Sequence, residues 1–94
     1  MTLPLEGITV IGLEQAVSAP LCTRHLADLG ATVVKIERPG TGDFARGYDA
    51  VVRGQSAYFV WLNHGKRSVA LDLKGDSDRQ RFDALLSEAD VLVQ

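Results

Sequence analysis

The chain has 94 residues and a formal net charge of −2, with 46% hydrophobic and 23% charged residues. This composition is typical of one ordinary globular domain and argues against a disordered segment, and no apolar run approaches the ~20 residues that span a bilayer. We therefore expect a cytoplasmic protein that binds neither membranes nor nucleic acids, since a slightly negative chain does not attract a polyanion.

The residue types that often carry metal or nucleophilic chemistry are few. The single cysteine, Cys22, cannot form an intramolecular disulfide and has no histidine pair near it, so we predict no metal site. We interpret Cys22 as a buried or half-buried thiol on a helix. His25 and His64 stand alone in the sequence, and we expect each to be solvated or hydrogen-bonded rather than catalytic.

The first part of the chain reads as a strand, a helix and a second strand. Residues 8–13, ITVIGL, form a short apolar run typical of a strand that is buried on both faces. Pro20 suits the first turn of the following helix, with the cap at position 18 or 19, and Gly30 is expected to end it. Residues 31–37, ATVVKIE, form the second strand, so the pattern predicts a right-handed parallel βαβ unit.

The strand and helix pattern repeats in the second half. SVALDL, residues 68–73, reads as a third strand, and Ser77 with Gln80 matches a capping box at the start of the next helix. VLV, residues 91–93, begins a fourth strand just before the sequence given stops. We therefore expect residues 1–94 to be the N-terminal part of a Rossmann-like α/β domain, truncated after the start of that strand.

The segment between the two units, residues 38–67, is long for a connection in a small domain. Such a segment is usually functional or partly helical, and residues 56–63 are predicted to form a short helix. The stretch from Arg38 to Lys74 contains six basic and three acidic residues, which gives it a charge of +3 within a negative chain. This positive stretch would attract an anionic ligand.

Two familiar nucleotide-binding motifs are incomplete. A dinucleotide-binding loop requires G-x-G-x-x-G after the first strand, but that stretch contains only Gly12. Glu37 stands where such proteins keep a ribose-binding acid, although Arg38 beside it changes the local charge. The GKRS run at residues 65–68 lacks the upstream glycine of a P-loop, and its serine is displaced by one position.

Two cationic residues follow neighbouring strands of the predicted sheet. Arg38 comes directly after the second strand and Lys74 after the third, and parallel strands deliver both to the carboxyl edge where ligands of open α/β sheets bind. A guanidinium grips phosphate through two parallel hydrogen bonds, and an ammonium adds a mobile charge. Gly40 and Gly42 allow close backbone approach. The pattern fits a nucleotide-like anion, and the alternative is that both cations are merely solvated.

Four stretches of the chain together resemble the N-terminal part of the family III CoA-transferases, the CaiB/BaiF type: PLEGITVIGLE, LADLGATVVKIERPGTGDFAR, NHGKRSVALDLK and EADVLVQ. The family includes formyl-CoA:oxalate and carnitine CoA-transferases, and the resemblance covers essentially the whole chain in order. It implies the large Rossmann-like domain of an interlocked homodimer. It also implies coenzyme A as the bound group, an acyl-CoA donor, a carboxylic acid acceptor and no metal.

The resemblance further implies which residues contact CoA. Arg38 matches an arginine near the adenine and phosphate end, residues 71–74 match the strand end that packs on the adenine, and Val17 matches a position near the thioester. The full implied set is Val17, Ser18, Arg38, Leu71, Asp72, Leu73 and Lys74. The formyl-CoA transferase pattern has glutamine at position 17, and the apolar Val17 argues against oxalate because it cannot donate a hydrogen bond to a small diacid.

In this family an aspartate attacks the acyl-CoA thioester to give a mixed anhydride, and the released thiolate then forms an enzyme thioester that the acceptor acid resolves. The resemblance places that aspartate beyond residue 94, so no catalytic residue is assigned, and Asp43 is expected to form a turn. Two alternatives stay open. One is an α-methylacyl-CoA racemase of the same superfamily, and the other is a non-catalytic nucleotide-binding module.

Overall fold

The computed structural model describes residues 2–94, in which strands alternate with helices. The strands are β1 (Thr9–Leu13), β2 (Thr32–Glu37), β3 (Arg67–Ala70) and β4 (Val91–Val93). The helices are α1 (Ser18–Asp28), α2 (Ala57–Asn63) and α3 (Asp76–Ser87), and a 3₁₀ helix lies at Phe44–Gly47. This alternation confirms the α/β prediction.

The strands form one parallel sheet in the order β3-β2-β1-β4. β1 lies inside the sheet, where Ile11 is opposite Val34 of β2 and Leu92 of β4. Because all these strands run in the same direction, the loops that follow β1, β2 and β3 emerge side by side at one edge.

Apolar side chains cover both faces of the sheet. On one face Val34 and Ile36 of β2 pack in a cluster with Phe82 of α3, and on the other face Val33 packs with Leu26 of α1. Alternation along β2 explains this division, because successive side chains of a strand point to opposite faces. The two helices therefore lie on opposite sides of the sheet.

Several predicted helix signals are confirmed. Pro20 is buried in the first turn of α1, and Gly30 follows the end of that helix with φ = 105°, a left-handed conformation that glycine adopts without strain. The predicted short helix is α2, where the Ser56 hydroxyl accepts a hydrogen bond from the Phe59 amide at 3.3 Å. No helix within residues 2–94 has both the length and the apolar character needed to cross a bilayer.

The predicted helix caps are wrong at two places. Helix α1 begins at Ser18 and its cap residue is Val17, so the cap lies one residue earlier than predicted and has no side-chain hydrogen bond. Helix α3 begins at Asp76 with Gly75 as its cap, which places Ser77 inside the helix and leaves no capping box. The predicted capping box does not form because the helix already begins before Ser77.

β3 is shorter than predicted and ends at Ala70 rather than at residue 73. The Leu71 amide still donates to the Glu37 carbonyl oxygen at 3.0 Å, which adds one more bond to the ladder. The Asp72 carboxylate then accepts from the Lys74 amide at 3.0 Å. This turn within residues 72–74 bends the chain away from the sheet.

The interpretation of Cys22 as a buried or half-buried thiol is wrong, since its side chain is exposed. Helix α1 buries Pro20 and Thr23 instead, and Cys22 faces outward between them. His25 and His64 are also exposed, as expected for solvated side chains.

The Phe82 side chain, only 5% exposed, should carry a large share of the packing between α3 and the sheet. We expect Phe82→Ala to lower the free energy of unfolding by about 3–5 kcal/mol, because the ring leaves a cavity in the core. Urea unfolding of the full-length chain measures the loss in the free energy of unfolding. Phe44→Ala is the matched control at a 62% exposed ring, and equal losses in both variants would contradict this account.

Candidate functional site

A pocket of about 420 Å³ opens at the carboxyl ends of β1, β2 and β3. It is lined by residues 13–15 after β1, by residues 36–39 with Gly42 and Asp43 after β2, and by residues 71–74 after β3. The loops of three neighbouring strands therefore converge on one concave surface, in the position where open α/β sheets bind ligands.

Arg38 and Lys74 both line this pocket, and both residues are exposed. Within residues 2–94 neither side chain forms an ion pair. Their positive charges thus remain available to a ligand. The structure brings them to one edge of the sheet, as the order of strands and loops in the sequence predicts.

The pocket has an apolar floor that continues the core. Leu13, Ile36, Leu71 and Leu73 line it, and the same side chains pack in the cluster that contains Phe82 of α3. Leu71 is 4% exposed, so its position is fixed by packing rather than by a ligand. A flat apolar group bound here would rest on a rigid surface.

The turn after β3 is held by two aspartates. Asp72 uses its carboxylate to bind the Lys74 amide, and its own amide donates to Asp78 Oδ2 at 2.8 Å. These bonds fix the backbone of residues 72–74 at the rim. Asp72 therefore has a clear structural role in presenting Lys74.

Val17 and Ser18 do not line this pocket, although they lie on the loop and helix that directly follow its β1 wall. Both are exposed, Val17 as the cap residue of α1 and Ser18 as the first residue of that helix. Gln15, which the sequence did not single out, lines the pocket in their place. The structure thus brings together Arg38 and residues 71–74 but not the remaining two predicted residues.

A buried ion-pair network, which the sequence reading missed, lies behind the pocket wall. Lys35, in the middle of β2, has a side chain only 1% exposed, and its Nζ lies 2.7 Å from Asp43 Oδ2 and 3.6 Å from Glu14 Oε1. Lys35 Nζ also donates to the Glu14 carbonyl oxygen at 3.3 Å. One ammonium group therefore joins the loop after β1 to the segment after β2.

Glu14 is the second centre of this network. Its Oε1 accepts from Lys66 Nζ at 2.7 Å and its Oε2 accepts from the Thr23 hydroxyl at 2.7 Å. Lys66 Nζ also donates to the Pro20 carbonyl oxygen at 3.0 Å and to Asn63 Oδ1 at 2.8 Å. Burial lowers the pKa of Lys66, while the bond to Glu14 opposes that change. Glu14 thus ties β1 to α1 and to the segment before β3.

Glu37 ends β2 in a bidentate pair with Arg46, whose Nε and Nη2 donate to the two carboxylate oxygens at 2.8 Å each. Glu37 also accepts from the Ser68 hydroxyl and from the Asp43 amide. The bond from Arg46 is the largest cause that lowers the pKa of Glu37 to about 2, against the opposing effect of burial. Both oxygens are occupied, so Glu37 is not free to serve as a ribose-binding acid. The Arg46 guanidinium lies 3.8 Å from the ring centroid of Phe59.

Asp43 forms a turn, as predicted, and it also joins the loops that follow β1 and β2. Its Oδ1 accepts from the Ala45 amide at 2.9 Å, which caps the 3₁₀ helix, and from the Ala16 amide at 2.8 Å. Burial opposes ionisation of this 2% exposed residue, but the bonds from Lys35 and from the two amides lower its pKa below the ordinary value. Asp43 is therefore an ionised carboxylate within the structure.

Gly42 shows how tightly the Arg38 loop is closed. Its amide donates to the Arg38 carbonyl oxygen at 2.9 Å, and its φ is 68°. A Cβ at this position would lie 2.9 Å from Glu37 Oε1 and 2.9 Å from Arg46 Cδ. Only glycine thus allows both the left-handed turn and the ion pair beside it.

One sequence signal for this network was present. Lys35 interrupts the β-branched run predicted to be the second strand, and a lysine buried there requires a carboxylate partner. The partners lie far along the chain, since Glu14 precedes Lys35 by 21 residues and is separated from Lys66 by 52. Periodicity does not reveal pairs at such separations.

Comparisons with known proteins agree with this architecture. The family model described as CoA-transferase family III matches residues 5–94. The chain therefore belongs to the CoA-transferase family III. This confirms the resemblance noted in its sequence.

Named relatives and solved structures extend the match. The chain is 43% identical over 95 residues to a formyl-CoA:oxalate CoA-transferase of Rhodopseudomonas palustris, covering 100% of this chain and 22% of the relative. It is 44% identical over 91 residues to an acetyl-CoA:oxalate CoA-transferase of Acetobacter aceti, covering 97% of this chain and 23% of the relative. The chain thus spans less than a quarter of the length of these relatives.

Two crystal structures have the same fold. Rv3272 from Mycobacterium tuberculosis superposes with a TM-score of 0.88 at 38% identity, covering 99% of this chain and 25% of that one. A CaiB/BaiF family protein from Brucella suis gives a TM-score of 0.88 at 35% identity, covering 98% and 25%. The parallel sheet with its helices therefore matches that of CaiB/BaiF proteins.

The lowered pKa of Glu37 predicts how the free energy of unfolding changes in acid. Its folded value of about 2 lies below the ordinary 4.5, so the ionised form stabilises the fold fully above pH 4.5 and this contribution is lost as the pH falls toward 2. Half-exposed Arg46 is partly screened, so we expect the stability advantage of the wild type over Glu37→Gln to shrink by roughly 2 kcal/mol between pH 6 and pH 2.5.

Urea unfolding of both full-length chains across this pH range measures the difference. Glu88→Gln, at an exposed position outside the network, is the matched control. A difference between wild type and Glu37→Gln that does not change with pH would contradict the assignment.

Proposed function

We propose that residues 1–94 form the CoA-binding part of an enzyme that transfers CoA from an acyl-CoA donor to a carboxylic acid acceptor. The family match and the relatives named as CoA-transferases support the reaction class. The observation that carries the binding assignment is the convergence of Arg38 and Lys74, without ion-pair partners within residues 2–94, on one pocket.

The two halves of this pocket suit the two chemical parts of the nucleotide end of CoA. The phosphates are anions that a guanidinium binds through paired hydrogen bonds and an ammonium attracts as a point charge, which are the roles proposed for Arg38 and Lys74. The adenine is flat and largely apolar on its faces, and Leu71 and Leu73 offer it a packed surface. A volume of about 420 Å³ lies within the range of small-molecule sites, 300–1,000 Å³.

The remaining predicted contacts, Val17 and Ser18, lie at the N-terminus of α1 outside this pocket. The pantetheine arm of CoA is long, and we propose that it passes Gln15 on its way from the nucleotide pocket toward these residues. Val17 is 39% exposed and offers no hydrogen bond to an acid. We therefore propose a carboxylic acid as the acceptor and do not assign oxalate.

The proposed chemistry proceeds through an aspartate outside residues 1–94. Its carboxylate attacks the thioester carbonyl and expels the CoA thiolate, which leaves a mixed anhydride. The thiolate then attacks the aspartyl carbonyl, releases the donor acid and forms an enzyme thioester, and the acceptor carboxylate repeats these steps in reverse. The residues described here bind and orient CoA and take no covalent part.

The assembly we propose is an interlocked homodimer in the cytoplasm. Tyr48, Tyr58 and Trp61 form an exposed aromatic group, in which Tyr58 lies 5.8 Å from Tyr48 and 6.2 Å from Trp61 between ring centroids. Grouped aromatic side chains at a surface commonly mark a contact with another polypeptide segment. This group supports an assembly larger than residues 2–94, and light scattering of the full-length chain measures its mass.

Arg38→Ala in the full-length chain is expected to weaken CoA binding by about 1–3 kcal/mol, the usual loss for a charge-assisted hydrogen bond. Isothermal titration calorimetry measures the affinity. Arg79→Ala is the matched control, because Arg79 is an exposed arginine on α3 that pairs with Asp83 and does not line the pocket. Unchanged CoA affinity in Arg38→Ala, or an equal loss in both variants, would remove Arg38 from the binding site.

The reaction class has its own test. The purified full-length chain is incubated with an acyl-CoA and a panel of carboxylic acids, and new acyl-CoA products are identified by mass spectrometry. CoA transfer to at least one acid is the expected result. Exchange of the α-proton of a 2-methylacyl-CoA with solvent deuterium, without any transfer, would instead identify a racemase.

A further inference from the structure

The loop between β1 and α1, residues 14–17, has a conformation that needs external support. Ala16 has φ = 64°, the left-handed region that residues with a Cβ rarely adopt. Such a conformation costs on the order of 1 kcal/mol or more and persists only where surrounding contacts hold it. Gln15, the residue before it, lines the pocket.

Asp43 supplies this support from a distant part of the chain. Its Oδ1 accepts the hydrogen bond from the Ala16 amide at 2.8 Å across 27 residues of sequence. Its Oδ2 lies 2.7 Å from Lys35 Nζ, and that ammonium also donates to the carbonyl oxygen of Glu14, the first residue of the loop. The loop is therefore held at Glu14 and at Ala16 by one buried ion pair.

Asp43 also lines the pocket but is not available to react with a ligand. Oδ1 accepts from the amides of Ala16 and Ala45, and the buried Oδ2, which has no hydrogen-bond partner within residues 2–94, lies in an ion pair 2.7 Å from Lys35 Nζ. A carboxylate whose two oxygens are fixed in this way is a poor nucleophile and a poor proton acceptor. Its influence on a ligand must pass through the loop that it holds.

We infer that Asp43 is a positioning residue, whose carboxylate fixes the β1–α1 loop so that the loop orients the part of a bound acyl-CoA that extends beyond the nucleotide. This inference rests on the proposed function, because it takes CoA as the ligand. It separates the site into a nucleotide end, held by Arg38 and Lys74, and a loop wall whose geometry depends on Asp43. Loss of the bond to Ala16 should then affect CoA much more than its nucleotide fragment.

The test uses two double variants of the full-length chain that both lack the buried ion pair. Lys35→Met with Asp43→Asn retains an Oδ1 acceptor for the Ala16 amide, whereas Lys35→Met with Asp43→Leu removes it. Replacing both members of a buried pair avoids an unpaired charge, which is the main cause of unfolding in such variants. Thermal melts confirm that the two proteins are folded.

Calorimetry then measures the affinity of each protein for CoA and for adenosine 3′,5′-bisphosphate, which carries only the nucleotide end. We expect the leucine variant to lose roughly tenfold or more in CoA affinity and less than about twofold in affinity for the bisphosphate, because a displaced loop loses contacts to the part of CoA that the bisphosphate lacks and one or two lost hydrogen bonds weaken binding about tenfold. The asparagine variant should lose less CoA affinity than the leucine variant, because both lack the ion pair but only the asparagine keeps the acceptor for the Ala16 amide.

Equal losses for both ligands, or no loss for CoA, would overturn the inference and leave the proposed function standing. A wild-type chain that does not bind CoA would instead overturn the proposed function. If the leucine variant does not fold, hydrogen exchange in the wild type decides the matter. The Ala16 amide should exchange far more slowly than an unstructured amide, and exchange at the unstructured rate would overturn the inference.

Discussion

The site depends on the pairing of Lys35, a lysine in the middle of the parallel sheet, with Asp43 and Glu14. An unpaired ammonium in this position would carry a desolvation cost of several kcal/mol. Its partners lie on two different loops, so the same contacts that neutralise Lys35 also bring those loops together. The same ion pairs therefore neutralise the buried lysine and fix the two loops that line the pocket.

The alternation of β2 explains how one strand serves two environments. Val34 and Ile36 point into the apolar cluster with Phe82, and Ile36 continues into the pocket floor. The intervening Lys35 and Glu37 join the ionic network on the other face. Because side chains along a strand change face at every residue, a single short segment supplies both the apolar floor and the bracing of the charged wall.

The sequence allowed the fold class and the meeting of Arg38 and Lys74 at one sheet edge to be predicted because both depend on local signals. Short apolar runs separated by Pro20 and Gly30 identified the first βαβ unit, and the positions of Arg38 and Lys74 directly after strands indicated that they meet. The boundaries of α3 were wrong, since the capping motif at Ser77 competes with an earlier turn held by other side chains.

The ion network was not predicted for a different reason. Glu14 and Lys66 each resemble ordinary surface charges in a local window, and although Lys35 within an apolar strand signals a buried charge, only the parallel order of the strands places its partners beside it. The same holds for the bond between Asp43 and the Ala16 amide, which joins loops after different strands. Contacts that require the whole sheet to be assembled leave no periodic pattern in the sequence.

The network also determines the sign of the field in the pocket. Four carboxylates line it, those of Glu14, Glu37, Asp43 and Asp72, and by themselves they would repel a phosphate. Glu14, Glu37 and Asp43 are each paired with a buried or half-buried cation, namely Lys66, Arg46 and Lys35 respectively. The exposed Asp72 instead accepts from the Lys74 amide at the rim.

The charges of these three pairs thus cancel, which leaves Arg38 and Lys74 against Asp72 among the other charged residues that line the pocket, a net positive charge. Opposite charges a few ångströms apart have little net effect at the distance of a ligand, whereas a cation without such a partner keeps its full effect. Removing any one buried cation would expose the ligand to a carboxylate. Buried lysines that do not line the pocket therefore contribute to its electrostatics.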